Sequence, residues 1–164
     1  MITTASPHHF ERIREVSWAA GEMFREVGMD EIADMPTPPD EVLGAFADEH
    51  RAWVWIESLV VAGFLLAEEV GGCAHVAEVS VHPDYRGRGF GGHLLTHVGA
   101  WAWGQGMPAV TLTTFRDVPW NAPYYERLGF RVVEPSEALR EVVAREALIG
   151  LDPALRVCMR RDVR

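Results

Sequence analysis

The stretch Val79-Ser80-Val81-His82-Pro83-Asp84-Tyr85-Arg86-Gly87-Arg88-Gly89-Phe90-Gly91-Gly92 passes from a β-rich run into an Arg/Gly loop and then into a helical pattern. Glycines let a ligand reach backbone N–H groups, and the first turn of a helix adds unpaired donors at its positive dipole end. Arg86 and Arg88 supply cationic charge. The stretch reads as a cradle for phosphate. In a chain of net charge −9, positive charge gathered at one glycine loop points to a specific anionic ligand and away from a general polyanion-binding face.

Upstream of the loop, Phe10, Ile13, Val16/Ser17, Ala20, Phe24 and Val27 recur at helical spacing before Gly28, which predicts a first helix over about residues 8–27. The turn Pro36-Thr37-Pro38-Pro39 leads into a second helix near residues 40–50, with Asp40 or Thr37 as cap. Trp53–Ile56 and Leu59–Val70 then read as antiparallel strands around Glu57-Ser58, and Gly71-Gly72 turns the chain into a strand over 74–82. Downstream, the pattern predicts a helix over 91–104, a strand over 109–115 and a short helix between Asn121 and Gly129. A strand over 130–133, a helix from Ser136 to about Ile149 and a last strand over 156–160 follow. This order predicts a mixed sheet with helices packed on it.

The 164 residues suit one domain over 1–164 with an ordinary core. Met1 to Pro7 lack the basic and apolar regions of a signal peptide, and the apolar run Leu59–Ala67 is too short to span a bilayer. A cytoplasmic protein with no membrane partner is the expectation. Cys73 and Cys158 have no close Cys or His partner at zinc-ligand spacing and read as buried thiols. All 15 cationic side chains are arginine, and no basic stripe suggests a nucleic-acid partner. Residues 22–49 carry nine carboxylates against Arg25 alone, a segment able to attract a cationic substrate or to form a solvated face.

Gly87-x-Gly89-x-x-Gly92 also satisfies the dinucleotide-binding pattern, with Asp117 as the ribose ligand. The spacing to Asp117 is long, and too little chain follows for a second nucleotide-binding half. A Walker loop is excluded by the absence of lysine.

Arg86-Gly87-Arg88-Gly89-Phe90-Gly91 resembles the signature of the GCN5-related N-acetyltransferase (GNAT) superfamily: Gln or Arg, two variable residues, Gly, one variable residue, then Gly or Ala. Tyr124-Tyr125-Glu126-Arg127-Leu128-Gly129-Phe130 is similar to that superfamily's downstream Tyr-Glu-x-Leu-Gly-Phe segment. With the element order, the resemblance covers about residues 10–162. It implies an α/β fold with a mixed, mainly antiparallel sheet of about six to seven strands and helices on both faces. That sheet would be splayed between the strands at 74–82 and 109–115, with acetyl-coenzyme A as donor and no metal.

By the same resemblance the backbones of Val79 and Val81 bind the thioester carbonyl and the pantetheine amides. Arg86, Gly87, Arg88, Gly89, Phe90, Gly91 and Gly92 hold the pyrophosphate. Tyr125 is implied as the general acid that protonates the leaving thiolate and as a donor contact; Tyr124 is left to pack, and a one-residue shift exchanges them. Where many members carry Asn seven residues before this Tyr, this chain has Val118; Asn121 either contacts the coenzyme or caps the helix.

An acceptor ammonium, with a pKa of about 10.4, must lose a proton before it attacks. Glu78, His75 and His82 lie on the strand before the loop, and Glu78 leads because a carboxylate at a partly buried strand position needs a reason. The pleat places His75 opposite Glu78 unless a bulge intervenes. His93 and His97 are one helical turn apart, yet Leu94 stands where a metalloprotease glutamate would, so they flank a core stripe. The acidity of 22–49 favours a small primary amine as acceptor over a protein N-terminus or lysine. A non-catalytic acyl-coenzyme A sensor is the alternative of another class, and a homodimer is compatible with the resemblance.

Overall fold

A computed structural model describes residues 1–164. Its elements are β1 (Ile2–Thr4), α1 (Phe10–Glu22), α2 (Asp30–Ala33), α3 (Asp40–Asp48), β2 (Ala52–Glu57), β3 (Val60–Val70) and β4 (Cys73–Val81). There follow α4 (Phe90–Gly104), β5 (Ala109–Phe115), α5 (Ala122–Arg127), β6 (Arg131–Val133), α6 (Glu137–Leu148) and β7 (Arg156–Asp162). No helix is long and apolar enough to cross a membrane.

The seven strands are hydrogen-bonded in the order β1-β2-β3-β4-β5-β7-β6. Pairings are antiparallel for β1 with β2, β2 with β3, β5 with β7 and β6 with β7. The two-residue link Gly71-Gly72 joins neighbours β3 and β4, a connection open to antiparallel strands only. The exception is β4 with β5, a parallel ladder holding Ala74↔Val110 and His75↔Thr111. The mixed, mainly antiparallel sheet expected from the resemblance is present.

The chain divides into two compact units, Met1–Glu68 with Ala77–His97, and Glu69–Val76 with Val98–Arg164. In the first, Phe10, Ile13 and Val16 of α1 and Leu43 of α3 share a core with Ala52 and Val54 of β2 and Val61, Phe64 and Leu66 of β3. Strand alternation sends the intervening Trp53 and Trp55 to the opposite side, where Trp53 meets His97 edge-on at 5.7 Å and Trp55 stacks on Phe90. Gly63 allows β3 and β4 to approach: a Cβ there would lie 3.0 Å from the Ser80 carbonyl oxygen. In the second unit, β5 pairs with β7 from Ala109↔Asp162 to Phe115↔Arg156. Val110, Leu112, Met159, Leu139 and Val142 are buried there.

Several local expectations are corrected. The first helix ends at Glu22 and tightens into a 3-10 segment, Met23–Val27, stopped by Gly28 at φ 74°. There Arg25 gathers the carboxylates of Glu22, Asp30 and Asp34. Asp40 is the first residue of α3 instead of its cap, and it pairs with Arg14 of α1. Leu59 belongs to a turn, with positive φ at Ser58 and Leu59, and is 97% exposed. Strand β1 went unforeseen because three residues hold no period; pairing with β2 makes it a strand.

Candidate active site

Beyond β4 the backbone is tied down before it reaches the glycines. His82 N–H donates to the Ala62 carbonyl at 2.8 Å, and His82 Nδ1 accepts from Asp84 N–H at 3.1 Å, capping the 3-10 turn Pro83–Tyr85. Gly87 and Gly89 then adopt φ of 80° and 79°, where any side chain is strained. Neither is needed for packing, since a Cβ at Gly87 meets nothing within 4 Å and one at Gly89 meets His93 at 3.7 Å. The loop is shaped by conformation, and its outer side is open.

Helix α4 begins at Phe90, and His93 N–H donates to the Gly89 carbonyl at 3.0 Å to close its first turn. The N–H groups of Phe90, Gly91 and Gly92 therefore have no acceptor within the helix. The first turn is clamped: Trp55 of β2 stacks on Phe90 at 4.6 Å and on His93 at 5.3 Å. Arg86 and Arg88 are exposed; Arg88 lies over the Tyr85 ring at 5.5 Å and 3.8 Å from Glu57. Free amides, open glycines and two exposed guanidinium groups suit a diphosphate.

The three candidate bases take different positions. His75 is 2% exposed, its Nδ1 lies 2.9 Å from Thr111 Oγ1, and burial, with Arg145 and Arg156 adding to it, lowers its pKa to about 4. It is a neutral core residue. His82 is engaged in capping the turn. Glu78 accepts hydrogen bonds at Oε2 from Ser17 Oγ of α1 at 2.8 Å and from Ser80 Oγ at 3.0 Å. Burial pushes its carboxyl up, and the two hydroxyl bonds oppose that shift. Ser17 was not singled out in the sequence; the available signal was a lone hydroxyl beside an apolar helical stripe.

In the second unit, α5 carries Tyr125. Asn121 stands at the N-cap position but makes no side-chain cap bond, so capping does not explain its side chain; its carbonyl accepts from Tyr125 N–H at 3.0 Å. Tyr125 is 9% exposed, edge-on to Tyr124 at 5.4 Å and to Phe130 at 6.0 Å. Tyr124 is the more exposed ring and lies beneath the Arg127 guanidinium at 5.8 Å, so the packing role expected of it falls to Tyr125.

The same unit holds a half-buried ionic cluster that sequence reading missed. Thr113 Oγ1 donates to Glu146 of α6 at 2.8 Å, and Arg156 of β7 donates to Thr113 Oγ1 at 3.1 Å and to Glu146 Oε2 at 3.3 Å. Arg156 also lies over the Phe115 ring at 4.7 Å, while its Nε is buried without a partner.

A family model described as the acetyltransferase (GNAT) family matches residues 10–130. Over 86 residues the chain is 34% identical to the mycothiol acetyltransferase of Nocardiopsis dassonvillei, which covers 48% of this chain and 26% of that protein. Its fold is similar to that of N-acetylglutamate synthase from Neisseria gonorrhoeae complexed with coenzyme A and N-acetyl-glutamate. The TM-score is 0.74 at 15% identity, over 100% of this chain and 35% of that one. PaiA N-acetyltransferase from Thermoplasma acidophilum, in complex with coenzyme A, gives a TM-score of 0.69 at 15% identity over 99% and 98% of the two chains. The chain thus spans about a quarter of the first relative's length and about a third of the synthase's.

Proposed function

Because the chain belongs to the acetyltransferase (GNAT) family, we propose that it is an acetyl-coenzyme A-dependent N-acetyltransferase acting on a small primary amine by direct attack in a ternary complex. The observation that carries this reading is one run of chain, Glu78 to Gly92, that holds both a desolvated carboxyl and an open anion cradle. Coenzyme A in related structures supports the donor. A relative named for mycothiol, and the acidic segment 22–49, support a small acceptor over a protein. One domain over residues 1–164, working in the cytoplasm, completes the reading; free, buried Cys73 and Cys158 suit a reducing compartment.

Acetyl-coenzyme A supplies an acyl group activated as a thioester. The amides of Phe90, Gly91 and Gly92, with Arg86 and Arg88, would hold its diphosphate across Gly87 and Gly89. Val79 and Val81, past the last β4–β5 register pair, would offer backbone groups to the pantetheine arm and the carbonyl. A fixed N–H there would stabilise the oxyanion without reorganising. Glu78 would take a proton from the acceptor ammonium, directly or through water. The freed nitrogen would form the C–N bond as the C–S bond breaks; Tyr125 would give the departing thiolate its proton, and the proton the nitrogen loses on becoming an amide would return through water to the phenolate. Asn121 would add a side-chain contact to the coenzyme.

A panel of small primary amines and of peptides, each with acetyl-coenzyme A and thiol detection, tests the proposal. Amine-dependent thiol release is expected with at least one small amine. Release with peptides alone would replace the acceptor class, and donor binding without release from any acceptor would make the protein an acyl-coenzyme A sensor.

A further inference from the structure

We propose that Ser17 is a positioning residue for the base: its hydroxyl, brought by α1, acts with that of Ser80 to hold Oε2 of Glu78 and leave Oε1 to take the acceptor's proton. This rests on the reading of Glu78 as the base.

The geometry is asymmetric. Both hydroxyl donors, Ser17 Oγ at 2.8 Å and Ser80 Oγ at 3.0 Å, reach the same carboxylate oxygen. Ser80 is two residues along β4 from Glu78 and so shares its side of the strand. Ser17 comes from 61 residues away. On α1 it adjoins the buried positions Phe10, Ile13 and Val16. A serine in a helix interior is less favourable than alanine and commonly turns its hydroxyl back on the preceding turn. Here it donates across to the strand, an arrangement that α1 does not need for its own stability.

The electrostatics give the arrangement a purpose. What shifts the Glu78 carboxyl is burial, opposed by the hydroxyls of Ser17 of α1 and Ser80 of β4. Burial alone raises the carboxyl's affinity for its proton, whereas an arginine in contact would lower it and weaken the base. Two neutral hydroxyls lie between these extremes: they favour the charged form without neutralising it. With Oε2 taken by the two hydroxyls, the lone pairs of Oε1 are left to accept the proton, and the bond from α1 fixes which way that oxygen faces.

The test is Ser17→Ala, read by 13C carboxyl NMR of Glu78 and by the pH profile of kcat/KM. Loss of a bond that favours the charged form should move the Glu78 titration to higher pH. The acidic limb of kcat/KM should move with it, with about tenfold lower activity on the acidic side and a loss that narrows as pH rises. Ser17→Thr, which keeps the donor, should restore the profile. An unmoved titration in Ser17→Ala, or a Ser17→Thr profile no better than that of alanine, overturns the positioning role. Glu78→Gln separates the two levels: full turnover there overturns the base and this inference with it. Loss of the limb in Glu78→Gln, beside an unmoved titration in Ser17→Ala, overturns the role of Ser17 alone.

Discussion

His75 and Thr111 are register partners on the parallel ladder of β4 and β5, and Nδ1 of one lies 2.9 Å from Oγ1 of the other. The contact gives one nitrogen of a core ring its partner. Burial, with Arg145 and Arg156 adding to it, removes His75 from acid–base chemistry by lowering its pKa to about 4.

That burial has a pH signature. Between the usual value of about 6.5 and the native value of about 4, the unfolded chain binds a proton that the native state does not. Stability is therefore untouched by this group above about pH 6.5 and falls as pH drops towards 4, by up to about 3 kcal/mol. Urea unfolding of wild type and His75→Gln from pH 7.5 to 4.5 checks it; the gap between their slopes should open only on the acidic side.

Tyr125→Phe removes a hydroxyl and keeps the ring that packs edge-on to Phe130. If the phenol protonates the thiolate, kcat should fall roughly 100-fold with little change in donor affinity. Steady-state kinetics with a thiol probe, beside donor binding by calorimetry, measures both. Undiminished turnover would transfer the role to another donor.

Gly63→Ala would place a Cβ 3.0 Å from the Ser80 carbonyl oxygen and 3.1 Å from Val81 Cγ2. Backbone cannot yield cheaply, so a loss of about 1–3 kcal/mol is expected in chemical denaturation. Because the displaced strand also bears Glu78, activity should fall by more than the unfolded fraction accounts for.

Gly89→Ala forces a side chain to φ near 79°, at a cost of about 1–2 kcal/mol. Its Cβ meets no backbone, so the effect should show as a raised KM for the donor and little change in kcat. An unchanged donor KM would separate the loop from the diphosphate.

Glu146→Ala leaves the Arg156 guanidinium, whose side chain is 11% exposed, without its carboxylate. A loss of about 1–3 kcal/mol follows from leaving a half-buried charge without its partner. A Glu146→Leu/Arg156→Met pair should recover much of it, and thermal and urea unfolding of the three proteins decides the matter.

The donor side was largely legible in the sequence, because its information is local. Gly87 and Gly89 announce positive φ, Phe90 to Gly92 announce a helix start, and all lie within a few residues. Where local signals were weak, the reading slipped. Leu59 looked like strand and is turn, and Asn121 looked like a side-chain cap and makes no such bond. Tyr124 and Tyr125 could not be sorted by burial, since adjacent residues on a short helix differ only in what the rest of the fold brings against them.

The sequence by itself determined the order of the longer elements, the glycine loop at Gly87–Gly92 and the family, for these follow from backbone preference and contiguous spacing. Tertiary structure alone decided what surrounds His75, Glu78 and His82. Desolvation and hydrogen-bond partners are set by segments far apart in the chain. Burial silences His75, whereas Ser17, carried on α1, reaches Glu78, the carboxylate proposed as base.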